Sequence, residues 1–178
     1  MAGRYVKIKD DRREWNRLER RLKTMPRQHI ISGITHDATG EEGASVAEYA
    51  TYNELGLGVP ARPFMSRFYD QDFERIVRFS QNALKKSVMG TVTMDAALNA
   101  IGLYMQKGIK QSIRTAYQWA QPNSPLTLER KYIKGAWQHN AGPKAAPMFG
   151  PQRPKELIDH GIMLNSVTFE IRPGAIRA

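Results

Sequence analysis

The chain has 178 residues, a formal net charge of +10, no cysteine and a hydrophobic fraction of 41%. This length suits one domain with a buried core, and the lack of cysteine excludes disulfides and thiolate metal sites. The N-terminus shows no apolar signal segment, and no run approaches the roughly 20 apolar residues of a membrane span. We expect a single soluble domain over residues 1–178 that is made in the cytoplasm. Its positive charge suits contact with nucleic acid or an acidic partner, although a plain solvated basic exterior is the alternative.

The first predicted element is an amphipathic helix that is capped by Asp10 or Asp11, runs to about Lys23 and is ended by Pro26. Its apolar positions recur at spacings of three and four, at Trp15, Leu18 and Leu22. A stripe this narrow is typical of a helix that packs against a sheet or a neighbouring subunit. The basic side chains that we assign to a contact surface for a partner protein or DNA are Arg13, Arg17 and Arg20.

A β-hairpin is predicted next. Residues 28–34 alternate and are β-branched, residues 36–45 form a polar loop that contains glycine, and residues 46–53 return as the second strand. A loop of this length is longer than the usual two to five residues of a hairpin. Most loops of this kind are tolerated insertions without a function, and the alternative is a loop that reaches a neighbouring subunit.

Two long helices follow. The first begins at Arg62 or Phe64, runs to Met89 and stops at Gly90. Its apolar face consists of Phe64, Phe68, Phe73, Ile76, Val77, Leu84 and Val88. The second begins at Thr93 and runs to about Ala120. Its apolar stripe consists of Met94, Leu98, Ile101, Met105, Ile109, Ile113 and Ala116. Gly102 and Gly108 inside this helix permit either the close approach of another backbone or a bend, and the sequence does not decide between them.

The last third begins after Pro122 with a short helix over residues 126–133, for which Ser124 is the cap and Pro125 the first position. Residues 136–155 contain too many prolines and glycines for a helix or a central strand. They form either a plain linker or an arm that orders on assembly. The buried anchors of such an arm would be Trp137, Met148 and Phe149.

A short turn-helix over residues 156–164, interrupted by Gly161, and a final strand over residues 167–171 complete the chain. The final strand is expected to pair with the hairpin. The predicted fold is therefore α+β: a small antiparallel sheet packed against two long helices, with an N-terminal helix and a long Pro-rich loop.

No pattern typical of catalysis is present. The four histidines lack metal-ligand spacing, and the glycines at positions 56 and 58 lack the remainder of a phosphate-binding loop. The paired acids at positions 41 and 42 lie in a polar loop, and those at positions 70 and 72 lie near a helix start, where negative charge suits the dipole. We expect no enzyme activity, cofactor or metal. One function class that the residues leave open is a DNA-binding or regulatory protein that uses the basic first helix.

Three blocks of sequence resemble the neck and tail-completion proteins of long-tailed bacteriophages. The first consists of Tyr52, Asn53, Glu54, Leu55 and Gly56, followed by Pro60, Ala61, Arg62, Pro63 and Phe64. The second consists of Ser124, Pro125, Leu126 and Thr127, with Arg130 and Lys131. The third consists of Leu157, Ile158, Asp159, His160 and Gly161, followed by Leu164 and Ser166. The family usually has Thr or Ser in place of His160 and a shorter path into the third block, so the loop 136–155 is a departure.

The resemblance implies a virion structural protein that forms a homo-oligomeric ring around the DNA channel, at the head-tail junction or the upper end of the tail. Six copies would match a tail and are favoured, whereas twelve would match the head vertex. The implied partners are the adjacent neck or connector proteins and the tail-tube proteins, with DNA passing through without sequence-specific contact and no membrane involved. Stopper, completion and terminator roles all remain open.

Physical reasons accompany the resemblance in the first and third blocks. Pro60 and Pro63 fix the angle at which the chain enters the long helix, and Phe64 is expected in the core. Arg62, held between the prolines, is expected to form an ion pair with Glu54 or with a neighbouring subunit. In the third block, core positions are predicted at Leu157, Ile158 and Leu164, and a turn cap at Asp159.

Overall fold

The computed structural model describes residues 12–25, 27–35, 38–40, 43, 45–126, 157 and 161–174. The elements in chain order are α1 (Arg13–Thr24), β1 (Gln28–Ile34), α2 (Val46–Leu55), α3 (Phe64–Val88), α4 (Met94–Arg114), α5 (Ala116–Trp119), α6 (Ile162–Ser166) and β2 (Val167–Pro173). The fold is mixed α+β and mostly helical, with a two-stranded antiparallel sheet packed against the two long helices. Helix α4 contacts α3 and both strands. None of the described helices is long and apolar enough to cross a membrane.

The predicted hairpin is wrong, because residues 46–53 belong to helix α2 and not to a second strand. Val46 and Ala50, four residues apart, are buried on one side of this helix. The side chain of Ser45 accepts a hydrogen bond from the backbone N–H of Glu48, and Gly56 in the left-handed conformation ends the helix. The Ser-x-x-Glu pattern of a capping box was therefore a better guide than the alternation of residue types.

Strand β1 pairs with the C-terminal strand β2, in a register that places Ile34 opposite Val167 and Gln28 opposite Pro173. The prediction of a strand at each of these places is confirmed, and β2 extends two residues beyond the predicted end at Ile171. The sheet therefore joins segments that are far apart in the sequence, and α4 lies against both of them.

The boundaries of the two long helices agree with the sequence, except at one end. Helix α3 starts at Phe64 and stops before Gly90, which has a positive φ of 78°. The Thr93 side chain caps α4 by accepting a hydrogen bond from the N–H of Ala96 at 3.1 Å. Helix α4 breaks at Thr115, whose hydroxyl donates to the backbone oxygens of Gln111 and Ser112. The predicted single helix to Ala120 is therefore two helices, α4 and α5.

The core lies where α2, the long helices and β2 meet. Its fully buried large side chains are Phe64, Ile109, Ile113, Val46 and Val167. The predicted stripe of α4 is buried or half-buried throughout. The predicted face of α3 is wrong at two positions, because Phe73 is 64% exposed and Leu84 is 36% exposed. Phe73 is five residues from the buried Phe68, which rotates it about 140° around the helix.

Gly102 and Gly108 allow aromatic rings to approach the axis of α4 closely. A Cβ atom on Gly102 would lie 2.1 Å from the Phe169 ring, and one on Gly108 would lie 2.0 Å from the Phe68 ring. The sequence left open whether these glycines permit a close approach of another backbone or a bend. The structure shows a close approach, which is made by side chains from β2 and α3. The two glycines face different neighbours, so α4 packs on the sheet and on α3 through different faces.

Several predictions concern residues outside the described part of the chain. These are the caps at Asp10 and Asp11, the stop at Pro26, most of the helix 126–133, the loop 136–155, and the residues Trp137, Met148, Phe149, Ile158 and Asp159. Gly161 is described and has a φ of 74° immediately before α6. Gly161 stands at the N-cap of α6, which runs to Ser166, two residues beyond the predicted end at residue 164. The part of the predicted turn-helix before Gly161 lies, apart from Leu157, outside the described residues.

Candidate functional site

Residues 52–64 fold into a tight turn between α2 and α3, which we call the α2–α3 corner. Helix α2 ends where the N–H groups of Gly56 and Leu57 both donate to the Tyr52 carbonyl, at 2.8 and 3.0 Å. Gly56 has a φ of 75°, and a Cβ atom on it would lie 2.9 Å from the Cβ of Ala61. Gly58 has a similar φ of 73° but open space around it. Gly56 is therefore required both by the turn and by the close return of the chain.

Glu54 connects the two helices of the corner through its carboxylate. Its oxygens accept hydrogen bonds from the backbone N–H groups of Met65 and Ser66 at 3.0 and 2.8 Å, and from the Ser66 hydroxyl at 2.7 Å. Pro63 occupies the capping position of α3 and supplies no side-chain hydrogen bond of its own. The carboxylate therefore caps α3 from outside that helix, where the dipole also favours negative charge.

Arg62 is the most deeply buried charged residue of the described chain, with 7% of its surface exposed. Its Nε donates to the backbone oxygen of Gln121 at 3.0 Å. Its two terminal nitrogens donate to the side-chain oxygens of Asn53 at 3.4 Å and Asn123 at 3.2 Å. The expected partner Glu54 is thus engaged by the start of α3, and Arg62 instead links α2 to the segment after α5.

The backbone reinforces the link that the Arg62 side chain makes to α2. The N–H of Arg62 donates to the Asn53 carbonyl at 2.6 Å, so this arginine is held by both its main chain and its side chain.

A second polar pair lies on the exposed side of α2. The Tyr52 hydroxyl donates to the Glu48 carboxylate one turn earlier, and this hydrogen bond, with the nearby negative charge, raises the pKa of Tyr52.

The third block of the sequence meets the first in the folded chain, and the second block begins directly after a partner of Arg62. Asn123, which binds Arg62, is two residues before Pro125, and Pro125 itself is exposed. Leu157 and Leu164 are half-buried and pack against the core cluster that contains Val46, Ala50 and Phe64. Leu157 has a positive φ of 60°, which is uncommon for a residue with a side chain. The structure therefore brings parts of the first and third blocks to one region.

Sequence reasoning missed the polar partners of Arg62. Asn123 is 8% exposed and Asn53 donates its own side-chain nitrogen to the Tyr49 carbonyl at 2.8 Å. Asn123 sits between Pro122 and Ser124 in a segment that looked like a connection between helices. The available signal was an asparagine in a Pro-rich turn, where Asn often bonds to the backbone, and not a pattern that names Arg62 as its partner.

Helix α1 exposes most of its surface, including the predicted contact residues Arg13, Arg17 and Arg20. Arg17 pairs with Glu14 at 3.1 Å, so part of the positive charge is balanced within the helix. The Arg21 guanidinium reaches the end of α3, where it lies 3.5 Å from the Val88 carbonyl. Helix α1 therefore meets α3 near the C-terminal end of α3 and leaves its basic face open to solvent.

Two separate groups of exposed apolar side chains lie near opposite ends of α3. The corner patch, beside the start of α3, consists of Leu55, Leu57 and Val59, which are 64%, 53% and 40% exposed. The helix-end patch, beside its C-terminal end, consists of Trp15, Leu22 and Met89, which are 64%, 52% and 64% exposed. Helix α3 has 25 residues. At about 1.5 Å per residue, its ends are about 37 Å apart.

The described residues contain no group of three or more His, Asp or Glu side chains placed to hold a metal ion. Comparisons with protein-family models, with curated proteins and with solved structures each found no match. The geometry of the corner and of the two patches therefore carries the interpretation.

We predict that Gly56→Ala lowers the free energy of unfolding more than Gly58→Ala does. Both substitutions place a side chain at positive φ, which costs about 1–2 kcal/mol. Only the alanine at position 56 also meets Ala61. Urea denaturation of both variants measures the difference, and equal losses would show that the close return of the chain at Ala61 has no energetic consequence.

Arg62→Ala should lower the free energy of unfolding by about 3 kcal/mol, because buried hydrogen bonds to a charged group are lost and their acceptors stay buried. Arg62→Lys should lower it by about 2 kcal/mol, since an ammonium cannot reproduce the planar set of donors. Arg78→Lys is the matched control on the exposed side of α3 and should change stability by less than about 0.5 kcal/mol. Denaturant unfolding of all three variants tests this. A loss of stability in the Arg62 variants no larger than that in the control would contradict the proposal that Arg62 holds α2 to the segment after α5.

Proposed function

We propose that the chain is a virion structural protein that forms a closed ring at the head-tail junction or upper end of the tail of a long-tailed bacteriophage. In this role it completes or joins the tail, while DNA passes through the ring without sequence-specific contact. Six copies are favoured and twelve remain the alternative. Adjacent neck, connector and tail-tube proteins are the proposed partners, and the virion is the proposed location.

The placement of the two apolar patches is the observation that carries this proposal. They differ in composition and lie near opposite ends of a helix about 37 Å long. Contact between the corner patch of one copy and the helix-end patch of the next would be heterologous, and heterologous contacts close into rings when the rotation between copies allows it. Large exposed apolar side chains are also typical of surfaces that bind other proteins.

The contact between the first and third sequence blocks gives further support. Arg62 and Glu54 fix the angle between α2 and α3, and the third block packs against the core under α2. A rigid corner holds the corner patch in a defined position relative to α3, which a repeated contact around a ring requires. The residues that carry the resemblance therefore have a shared physical task in the fold.

We predict that the purified full-length protein forms rings, and that Trp15→Asp and Leu57→Asp each abolish them. An equimolar mixture of the two variants should give a heterodimer that does not grow, because each variant keeps the patch that the other has lost. Mass photometry and negative-stain electron microscopy measure these states. Phe73→Asp, at a site as exposed as Trp15, is the matched control and should still form rings. Failure of the mixture to form a dimer would contradict the head-to-tail contact.

The proposed place in the virion is tested by electron microscopy of a lysate from a phage that encodes this chain and from which the gene has been deleted. Filled heads beside separate tails would support a joining role, and incomplete tails would support a completion role. Normal intact virions would reject the structural role.

A DNA-binding or regulatory protein is the second candidate, favoured by the exposed basic face of α1. Contact with passing DNA predicts binding with a steep salt dependence and no preference among sequences, because phosphates are then the only partners. A strong preference for one sequence would favour the regulator. The ion pairs of Arg17 with Glu14 and of Lys23 with Glu19 reduce the positive charge that α1 offers to phosphates.

A further inference from the structure

A groove of about 520 Å³ runs between α3 and the stretch formed by α4 and α5, and no residue of either apolar patch lines it. Its walls include Arg67 and Gln71 from α3, Lys107 and Ser112 from α4, and Trp119 from α5. The break at Thr115 separates α5 from α4, and Trp119 of α5 lines the groove. Neither the corner nor the ring contact uses these residues.

Four buried polar side-chain atoms of the described residues have no hydrogen-bond partner, and two of the four belong to residues of this groove. These two are the Oγ of Ser112 and the Nε1 of Trp119. The indole N–H can only donate, and the hydroxyl can donate as well as accept. Buried polar groups are nearly always paired in folded proteins, so an unpaired pair lining one groove indicates an absent acceptor.

The charge of the groove suits an acceptor that is negative. The Arg67 guanidinium lies 4.8 Å from the centre of the Trp119 ring. With the Gln71 amide oxygen turned toward it, Arg67 also donates to that oxygen at 3.1 and 3.2 Å. Lys107 is exposed on the opposite wall. The acid on the groove wall, Asp72, is bound to Arg75 at 3.0 Å, so it does not cancel the charges of Arg67 and Lys107.

We propose that this groove binds a carboxylate side chain on an acidic segment of a partner protein. The carboxylate would pair with Arg67 and Lys107 and accept hydrogen bonds from Trp119 and Ser112. Charge-assisted hydrogen bonds of this kind are about twice as strong as neutral ones. The two donors are buried in the free chain, so binding of the carboxylate requires side chains of the groove wall to move.

The shape of the groove favours a protein side chain over a DNA phosphate. The donors lie below the surface between two helices, and a duplex phosphate, flanked by sugars, would remain at the rim. A Glu or Asp side chain is narrow enough to enter, and the apolar surfaces of Phe68 and Tyr104 also line the groove. Duplex DNA is better served by exposed arginines such as those of α1. The inference stands on the groove alone and does not require the proposed ring.

The test uses the full-length protein, labelled with ¹⁵N, and a capped decapeptide of alternating Glu and Ala as the probe. Titration should shift the indole N–H resonance of Trp119, which Trp119→Phe identifies by removing it. Arg67→Gln and Lys107→Gln should each weaken binding about tenfold, because each removes one positive charge from the site. Arg78→Gln makes the same charge change outside the groove on α3 and should alter binding less than about twofold.

Two further probes can overturn the proposal. A decapeptide of alternating Gln and Ala should not shift the Trp119 resonance, and an equal shift would refute recognition of a carboxylate. A 20-base-pair duplex that shifts the resonance when the Glu peptide does not would assign the groove to nucleic acid instead. No shift with any probe would also overturn it. Lys107→Gln, at an exposed site, keeps the test informative if Arg67→Gln fails to fold, and unchanged peptide binding by Lys107→Gln would contradict the proposed role of its charge.

Discussion

The burial of one guanidinium group organises the part of the fold on which the proposed function depends. Arg62 carries a permanent charge, and a charge removed from water is tolerated only when it is paired or richly hydrogen-bonded. Its acceptors include Asn53 in α2, and Gln121 and Asn123 after α5. Meeting that requirement joins segments about 60 residues apart in the sequence at a single point.

The α2–α3 corner also supplies the hydrogen-bond acceptor that the start of α3 needs after a proline. Pro63 lacks both a side-chain acceptor and an N–H group, so the first donors of α3 need a partner from elsewhere. Glu54 supplies it from the end of α2. The direction of α3 is therefore set by α2, and the corner patch that follows Glu54 is held in register with α3. Distortion at Gly56 or Arg62 would be passed directly to the surface proposed to contact the next copy.

Local signals were sufficient to predict most helix ends and the two strands. Thr93 followed by Asp95 marks the start of α4, and Gly90 marks the end of α3, because caps act through neighbouring residues. The β1–β2 pairing was partly accessible, since both segments alternate. The hairpin prediction failed at residues 46–53, where capping by Ser45 and the spacing of Val46 and Ala50 outweighed a weak resemblance to a strand.

The functional geometry was less accessible from sequence, for a physical reason. Arg62 was identified as an ion-pairing residue, but its acceptors include neutral amides, and no spacing rule connects position 62 to position 123. The groove between α3 and α5 exists because α4 ends at Thr115, where the Thr115 hydroxyl donates to the Gln111 carbonyl. The apolar stripe continues with helical spacing across this position, so the sequence pattern does not indicate the break. Sequence patterns report local geometry well, whereas a site made by packing depends on which faces meet.

The surfaces of the chain divide into regions with different physical requirements. Removal of the two apolar patches from water would lower the free energy of the assembly. Because this effect has no preferred direction, a surface that covers a patch need only match it in shape. The groove between α3 and α5 contains unpaired donors and positive charge, so its ligand must supply an acceptor. A subunit that repeats in a ring and also contacts other proteins needs both kinds of surface, because self-contact and partner contact must not compete. The groove and the two patches meet this requirement because they share no side chain, so a ligand in the groove and a neighbouring copy on a patch would contact different residues.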